Sequence, residues 1–180
     1  VGQTLLGFAK LAPEVVGSDV SSAMLLEADR NLRDAGIRNA RLLLSDDGLT
    51  AIPGQFDLIH SYIVFQHIPI LRGRQIIGKL VEKIAHGGVG ALPFVYAKTI
   101  FASTFGVDPS PKRETTSPQA GTLGRPMNGP DPEMQMNSYN TNEIMFVLQA
   151  AGVHRLHAEF TDHAGELGMF VFFQKPGLLA

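Results

Sequence analysis

Val15-Val16-Gly17-Ser18-Asp19-Val20-Ser21-Ser22-Ala23-Met24 is the stretch from which the fold is legible. A short apolar run meets a turn glycine and then a single carboxylate, Asp19. Ser21 and Ser22 follow as N-cap candidates, and apolar residues then recur at helical spacing. The order is strand, tight turn, helix, with Asp19 at the carboxyl end of the strand. In open α/β sheets ligands bind at that edge. An ionised carboxylate only accepts hydrogen bonds, so Asp19 suits a pair of ribose hydroxyls there. It equally suits a plain helix cap, and the decapeptide alone does not choose.

Outward from this stretch the pattern alternates. Thr4 to Leu11 reads as a short helix stopped before Pro13. Val15 to Ser18 is the first strand. Ser22 to Ala35 is an amphipathic helix with Met24, Leu25, Ala28, Leu32 and Ala35 inward and Gly36 as its stop. Ala40 to Leu44 is a second strand, followed by the turn Ser45-Asp46-Asp47-Gly48. Phe56 to Phe65 holds a third strand, apolar enough to be buried on both faces. Leu71 to Ala85 is a helix with Ile76, Ile77, Leu80, Val81 and Ile84 inward, ended by Gly87-Gly88, and Val89 to Tyr96 is a fourth strand. Residues 97–137 carry six of the eleven prolines and little periodicity. They are expected to form an irregular insert, as a lid, a binding loop or disorder. Asn140-Thr-Asn-Glu143 opens a helix through Ala151, in the manner of a capping box. His154 to Thr161 and Gly168 to Gln174 are two closing strands. Their connection, Asp162 to Gly165, is too short for a crossover, so they pair antiparallel. The expected fold class is α/β, a Rossmann-like, mostly parallel sheet with helices on both faces and a C-terminal antiparallel hairpin.

Composition narrows the classes. At 180 residues the chain is expected to be one domain, 1–180, with a sizeable core. Hydrophobic residues at 44% against charged residues at 18% argue for a globular chain over a disordered one. The formal net charge is -2 without a basic cluster, so no nucleic-acid partner is expected. There is no cysteine, which excludes disulfides, zinc-thiolate sites, iron–sulfur clusters and a cysteine nucleophile. No apolar stretch approaches membrane-spanning length. The first residues lack the basic start and cleavage site of a signal peptide, so a cytoplasmic location is expected. The chain begins at Val1 without an initiator methionine and is expected to have been processed or cut.

Four segments in this order resemble the class I S-adenosylmethionine-dependent methyltransferases. Val-Gly-Ser-Asp19-Val-Ser-x-x-Met24-Leu is similar to the family's ribose-binding strand end. Leu-Leu-Leu-Ser-Asp46-Asp47-Gly-Leu is similar to its adenine-binding turn. Phe-Asp57-Leu-Ile-His-Ser61-Tyr62-x-x-Phe-Gln-His67-Ile is similar to its fourth-strand motif. Leu80-Val-Glu-Lys-Ile-Ala-His-Gly87-Gly88 is similar to the helix and turn before its fifth strand. The resemblance implies S-adenosyl-L-methionine as cofactor and a small molecule as methyl acceptor.

It also implies roles, residue by residue. Asp19 would hold the ribose hydroxyls. Val20 and Met24 would pack on the nucleoside, with the helix core as the alternative for Met24. Asp46 would accept from the adenine amino group and the Asp47 amide would donate to the ring, unless Asp47 merely serves the turn. Ser61 and Tyr62 would line the methionine portion through backbone groups. Gly2 would be the tail of the family's Gly-x-Gly-x-Gly loop. The strand that precedes this loop is absent here. In the family it lies between the second and fourth strands, so two buried strand edges would face an empty slot. Orphaned buried backbone groups cost about 1–3 kcal/mol each, against a domain stability of about 5–15 kcal/mol. The expectation is therefore that the sequence lacks its head, or that another segment fills the slot. Without those glycines, which let the backbone approach a ligand, cofactor affinity is expected to suffer.

A sulfonium donor is already activated, so the protein mainly aligns the partners and excludes water. No nucleophile signature is then needed, and none is present. An acceptor that is a weak acid needs a general base. His67 is the first candidate, with packing at the start of the next helix as its alternative. Tyr96 and Tyr139 are candidates for the acceptor pocket or for plain packing. His154 and His157 do not share a strand face, and no metal site is expected. Two other classes stay open. One is a nicotinamide-dependent oxidoreductase, since Asp19 also suits a dinucleotide ribose. The other is a non-catalytic methyltransferase-like scaffold.

Overall fold

In the computed structural model, which describes residues 1–99 and 137–177, the chain runs α1 (Gln3–Ala9), β1 (Val15–Asp19), α2 (Ser22–Asp34), β2 (Ala40–Leu44), β3 (Phe56–His60), a 3-10 turn (Phe65–His67), α3 (Ile70–Lys83), β4 (Ile84–Lys98), α4 (Thr141–Ala150), β5 (Leu156–His163) and β6 (Glu166–Gln174). Nearly all of the expected insert at 97–137 lies outside the described residues, and its first two residues, Ala97 and Lys98, belong to β4. The strands form two sheets, β1-β2 and β3-β4-β6-β5. They belong to two compact units, Val1–Gly54 and Gln55–Ala180.

In the first unit β1 and β2 pair in parallel from Val15 opposite Ala40 to Asp19 opposite Leu44. The Ser21 hydroxyl caps α2 by accepting from Met24 N–H at 3.3 Å. The helix closes with Gly36 N–H donating to Arg33 O and Ile37 N–H to Leu32 O, which satisfies two carbonyls of its last turn. Ala28 and Leu32 form the buried stripe of α2. Met24 and Ala35, expected inward, are exposed instead, because the helix is buried over only a narrow strip. Gly2 stands at the N-cap of α1 with φ 75, a region that costs other residues about 1–2 kcal/mol. A Cβ there would also come within 3.3 Å of the Ala28 Cβ.

In the second unit the hairpin expected at 162–165 forms, with Ala164 and Gly165 both at positive φ, as a two-residue turn between twisted strands requires. β6 pairs antiparallel with both β5 and β4, and β4 pairs parallel with β3. Leu92, Phe94, Met169, Val171 and Phe173 share one face of this sheet. They pack with Ile77 and Val81 of α3 and Ile144 and Leu148 of α4 in a single cluster. Burying each such side chain contributes about 1.5–3 kcal/mol. Asn140 caps α4, its side chain accepting from Asn142 N–H at 2.9 Å. Lys175 Nζ donates to Ile84 O at 2.8 Å and Glu82 O at 3.2 Å, placing a cation at the C-terminal end of α3.

One expectation changes. β3 is not buried on both faces: Asp57 and Leu58 are exposed, since β3 is the outer strand of its sheet.

Candidate functional site

The first unit places two carboxylates at one rim. Asp19 ends β1, and Ser45, just past the end of β2, donates its N–H to Asp19 O at 2.9 Å. Asp46 follows directly, so both acidic residues stand at the carboxyl ends of neighbouring parallel strands. The Asp19 carboxylate accepts one bond, from Ser21 N–H at 2.8 Å. A carboxylate offers about four acceptor sites, so capacity remains for a ligand. Asp46 is held more firmly. Thr50 donates its N–H to Oδ1 at 3.0 Å and its hydroxyl to Oδ2 at 2.6 Å. Asp46 thus closes the turn that sequence reasoning had assigned as the bland alternative for Asp47, and Thr50 was missed. Asp47 is half-buried in the same turn. Beside the rim Val20 is 72% exposed and Met24 43% exposed, which removes the helix core as an explanation for Met24.

The second unit holds the other predicted residues. Ser61 N–H donates to Ala91 O at 3.1 Å, continuing the sheet ladder. That amide is therefore taken up by the sheet. The Ser61 hydroxyl, by contrast, is buried and makes no hydrogen bond among the described residues. A buried orphan oxygen costs about 1–3 kcal/mol unless something outside the chain satisfies it. The Tyr62 ring is half-exposed and stacks on Phe170, centroids 6.5 Å apart. His67 ends the 3-10 turn, its Nε2 3.5 Å from Gln66 Nε2. His60 lies one row from Phe170, ring centroids 6.0 Å apart, and burial pulls its imidazole below the ordinary value.

Tyr139 is a correction. It is fully buried, and its hydroxyl shares one proton between Phe65 O at 3.0 Å and Ile68 O at 2.9 Å. Burial drives its phenol far above the usual range, with Arg72 opposing weakly. It is a core residue, not a pocket wall. With Asn137, whose side-chain amide donates to Gln66 O at 3.2 Å and Ile68 O at 3.0 Å, it straps the loop after β3 in place. Tyr139 N–H donates to Val95 O at 2.7 Å, tying that strap to β4. Tyr96 packs edge-on against Phe160 at 6.2 Å.

The strapped loop walls a cavity of about 100 Å³ that sequence reasoning did not find. Tyr62 to Gln66 form one side, and Pro93 to Val95, Gly168, Phe170, Thr161 and His163 the rest. Ile63 in this wall has φ 54. For a β-branched residue that is a strained conformation, which persists only when its surroundings over-determine it.

Three comparisons place this architecture. Residues 1–88 match a family profile described as a methyltransferase domain. Comparison with curated proteins finds no match by sequence. Among solved structures, a magnesium protoporphyrin IX methyltransferase from Synechocystis PCC 6803 with bound SAM is similar. It has TM-score 0.63 and 15% identity, over 94% of this chain and 63% of that one. A SAM-dependent methyltransferase from Methanosarcina mazei gives TM-score 0.70 and 16% identity, over 98% of this chain and 88% of that one. An O-methyltransferase family 2 protein from Planctomyces limnophilus, in complex with apigenin, gives TM-score 0.61 and 14% identity, over 97% and 48%. The chain thus spans less than two thirds of the length of the first and third of these proteins.

The fold is the Rossmann-like α/β fold of the class I S-adenosylmethionine-dependent methyltransferases. Residues 1–88 match the methyltransferase-domain profile, and the similar Synechocystis enzyme holds bound SAM.

Proposed function

We propose that residues 1–180 work as one methyltransferase domain that uses S-adenosyl-L-methionine to methylate oxygen or nitrogen of a small molecule. The observation that carries this reading is the rim of β1 and β2, where Asp19 and Asp46 stand together beside exposed Val20 and Met24. The residues suit the cofactor chemically: a carboxylate with spare acceptor sites for vicinal hydroxyls, a polarizable thioether for an adenine face, and an orphan Ser61 hydroxyl. The similar structures named above include an enzyme named as a magnesium protoporphyrin IX methyltransferase and a protein in complex with apigenin, which supports a small-molecule acceptor.

In this reading Asp19 binds the ribose and Asp46, fixed by Thr50, accepts from the adenine amino group. The Asp47 amide donates to the ring, and Val20 and Met24 cover it. Gly2 lets the start of α1 approach Ala28 of α2. Bound S-adenosyl-L-methionine supplies a methyl group on a positively charged sulfur. Ser61 and Tyr62 line the methionine portion, Ser61 through its hydroxyl. His67 takes the proton from a hydroxyl or amine acceptor. No nucleic acid or membrane partner is part of the proposal, and among the described residues no helix is long and apolar enough to cross a membrane.

Calorimetric titration with S-adenosylhomocysteine and, separately, NAD tests it. Saturable binding of the first is expected, and of NAD none. Asp19→Ala should weaken S-adenosylhomocysteine by about 1–3 kcal/mol, since hydrogen bonds to a charged group are lost. Equal affinity in the variant removes Asp19 from the site. Binding of NAD alone replaces the reading with an oxidoreductase.

A further inference from the structure

The cavity beside β4 and β6 has a consistent chemistry. Pro93, Val95, Gly168, Phe170 and Thr161 all lie on the sheet face opposite Leu92, Val171 and Phe173. In the second unit, both described helices, α3 and α4, pack with the core cluster on that other face. The cavity is therefore built on the aromatic side of the sheet. There Tyr62, Phe170 and Phe172 form a row, Phe170 and Phe172 lying stacked with centroids 4.6 Å apart and 12° between planes. Aromatic pairs favour such stacking, and a flat ring entering the cavity meets the same ring surfaces.

Four further features mark it as a built site. Its lining is mostly apolar, with a few polar groups at one side, as binding pockets are. Thr161 and His163, two positions apart on β5, face the same way, and no hydrogen bond to another described residue occupies either side chain. Gly168 leaves floor space: a Cβ there would come within 2.5 Å of Thr161 Oγ1 and 3.1 Å of Phe94 O. And the wall carries the strained Ile63, held by the Asn137 and Tyr139 strap. A volume of about 100 Å³ is the scale of one planar ring; a dry apolar cavity of about 150 Å³ takes benzene.

We propose that this cavity seats a single flat aromatic ring, stacked on Phe170, with one hydroxyl or amine substituent bonded to Thr161 and His163. Resting on the methyl-transfer reading, that ring belongs to the acceptor. Phe170, Gly168 and Thr161 then set acceptor choice, while His67 is not required for binding.

The test is amide-shift titration of the whole chain with phenol and, in parallel, cyclohexanol, which has the same size and hydroxyl but no flat ring. Phenol should give saturable shifts centred on Thr161, Gly168 and Phe170, with cyclohexanol at least tenfold weaker. Gly168→Val should abolish phenol binding. Should that variant not fold, Phe170→Leu keeps the apolar bulk and should weaken phenol several-fold at an unchanged spectrum elsewhere. Equal response to both probes, shifts scattered over exposed apolar residues, or an unaltered Phe170→Leu affinity overturns the proposal. S-adenosylhomocysteine titration of the same samples separates the two claims. Phenol binding without S-adenosylhomocysteine binding overturns the acceptor role, and the converse overturns the cavity assignment alone.

Discussion

The parallel pair β1–β2 and the parallel pair β3–β4 begin alike and are completed differently. The first remains a two-stranded sheet, and the buried apolar residues of its unit are Ala9, Ala28, Leu32, Leu49 and Ile52. The second is extended by β6 and β5, and its buried cluster gathers side chains from two helices and two strands, β4 and β6. Two strands alone are marginal in water, whereas four with a helix-covered face are not. The unit that carries the carboxylate rim is thus the lightly packed one, and the unit that carries the aromatic cavity is the firm one. A ligand gripping Asp19 and Asp46 would add stability where the chain has least of its own.

Hydrogen exchange breaks or upholds this contrast directly. Amides of β1 and β2 should exchange faster than those of β4 and β6, and S-adenosylhomocysteine should slow the former more. Equal protection without ligand would refute it. The largest mutational effect is expected in the firm unit. Ile77→Ala, at a fully buried position, should cost about 2–5 kcal/mol in denaturant unfolding. Leu32→Ala should fall at the lower end of that range, because its surroundings can collapse. Gly73→Ala comes next. A Cβ there would collide with the Tyr139 hydroxyl, and overpacking costs about 1–3 kcal/mol. Combining it with Tyr139→Phe should recover part of the loss, so a double-mutant cycle reads the coupling. Purely additive losses would show that the two do not meet.

Smaller effects compare the helix caps. Asn140→Ala and Ser21→Ala should each cost about 0.5–2 kcal/mol, with Ser21→Ala the milder, since its bond is 3.3 Å against 2.9 Å. The smallest is a pH effect. The folded His60 resists protonation because it is partly buried, so below its ordinary value of 6.5 the unfolded chain binds the proton first. Stability should therefore decline as pH falls through and below 6.5, and His60→Asn should flatten that slope.

Much of this architecture could be taken from local signals. Ser21, Gly36, Asn140 and the short link at 162–165 each punctuate the chain by a mechanism confined to a few residues, and each stands where that mechanism requires. Asp19 and Asp46 followed from strand-then-turn patterns in the same way. The cavity did not. Thr161 lies on β5, Gly168 and Phe170 on β6 and Pro93 on β4, and only the register of β5 against β6 against β4 brings them together. Nor did Tyr139 announce itself as core, since its partners Phe65 and Ile68 are about seventy positions earlier.

By itself, then, the sequence determined the order and type of the elements and the strand ends that carry carboxylates. These follow from propensity, caps and periodicity over short windows. The tertiary structure decided the rest: that the strands divide into two sheets, that Met24 is exposed while Tyr139 is buried, and that a strapped loop walls an aromatic cavity. Those outcomes depend on pairings between segments far apart in the chain, and no local window contains the energies that select them.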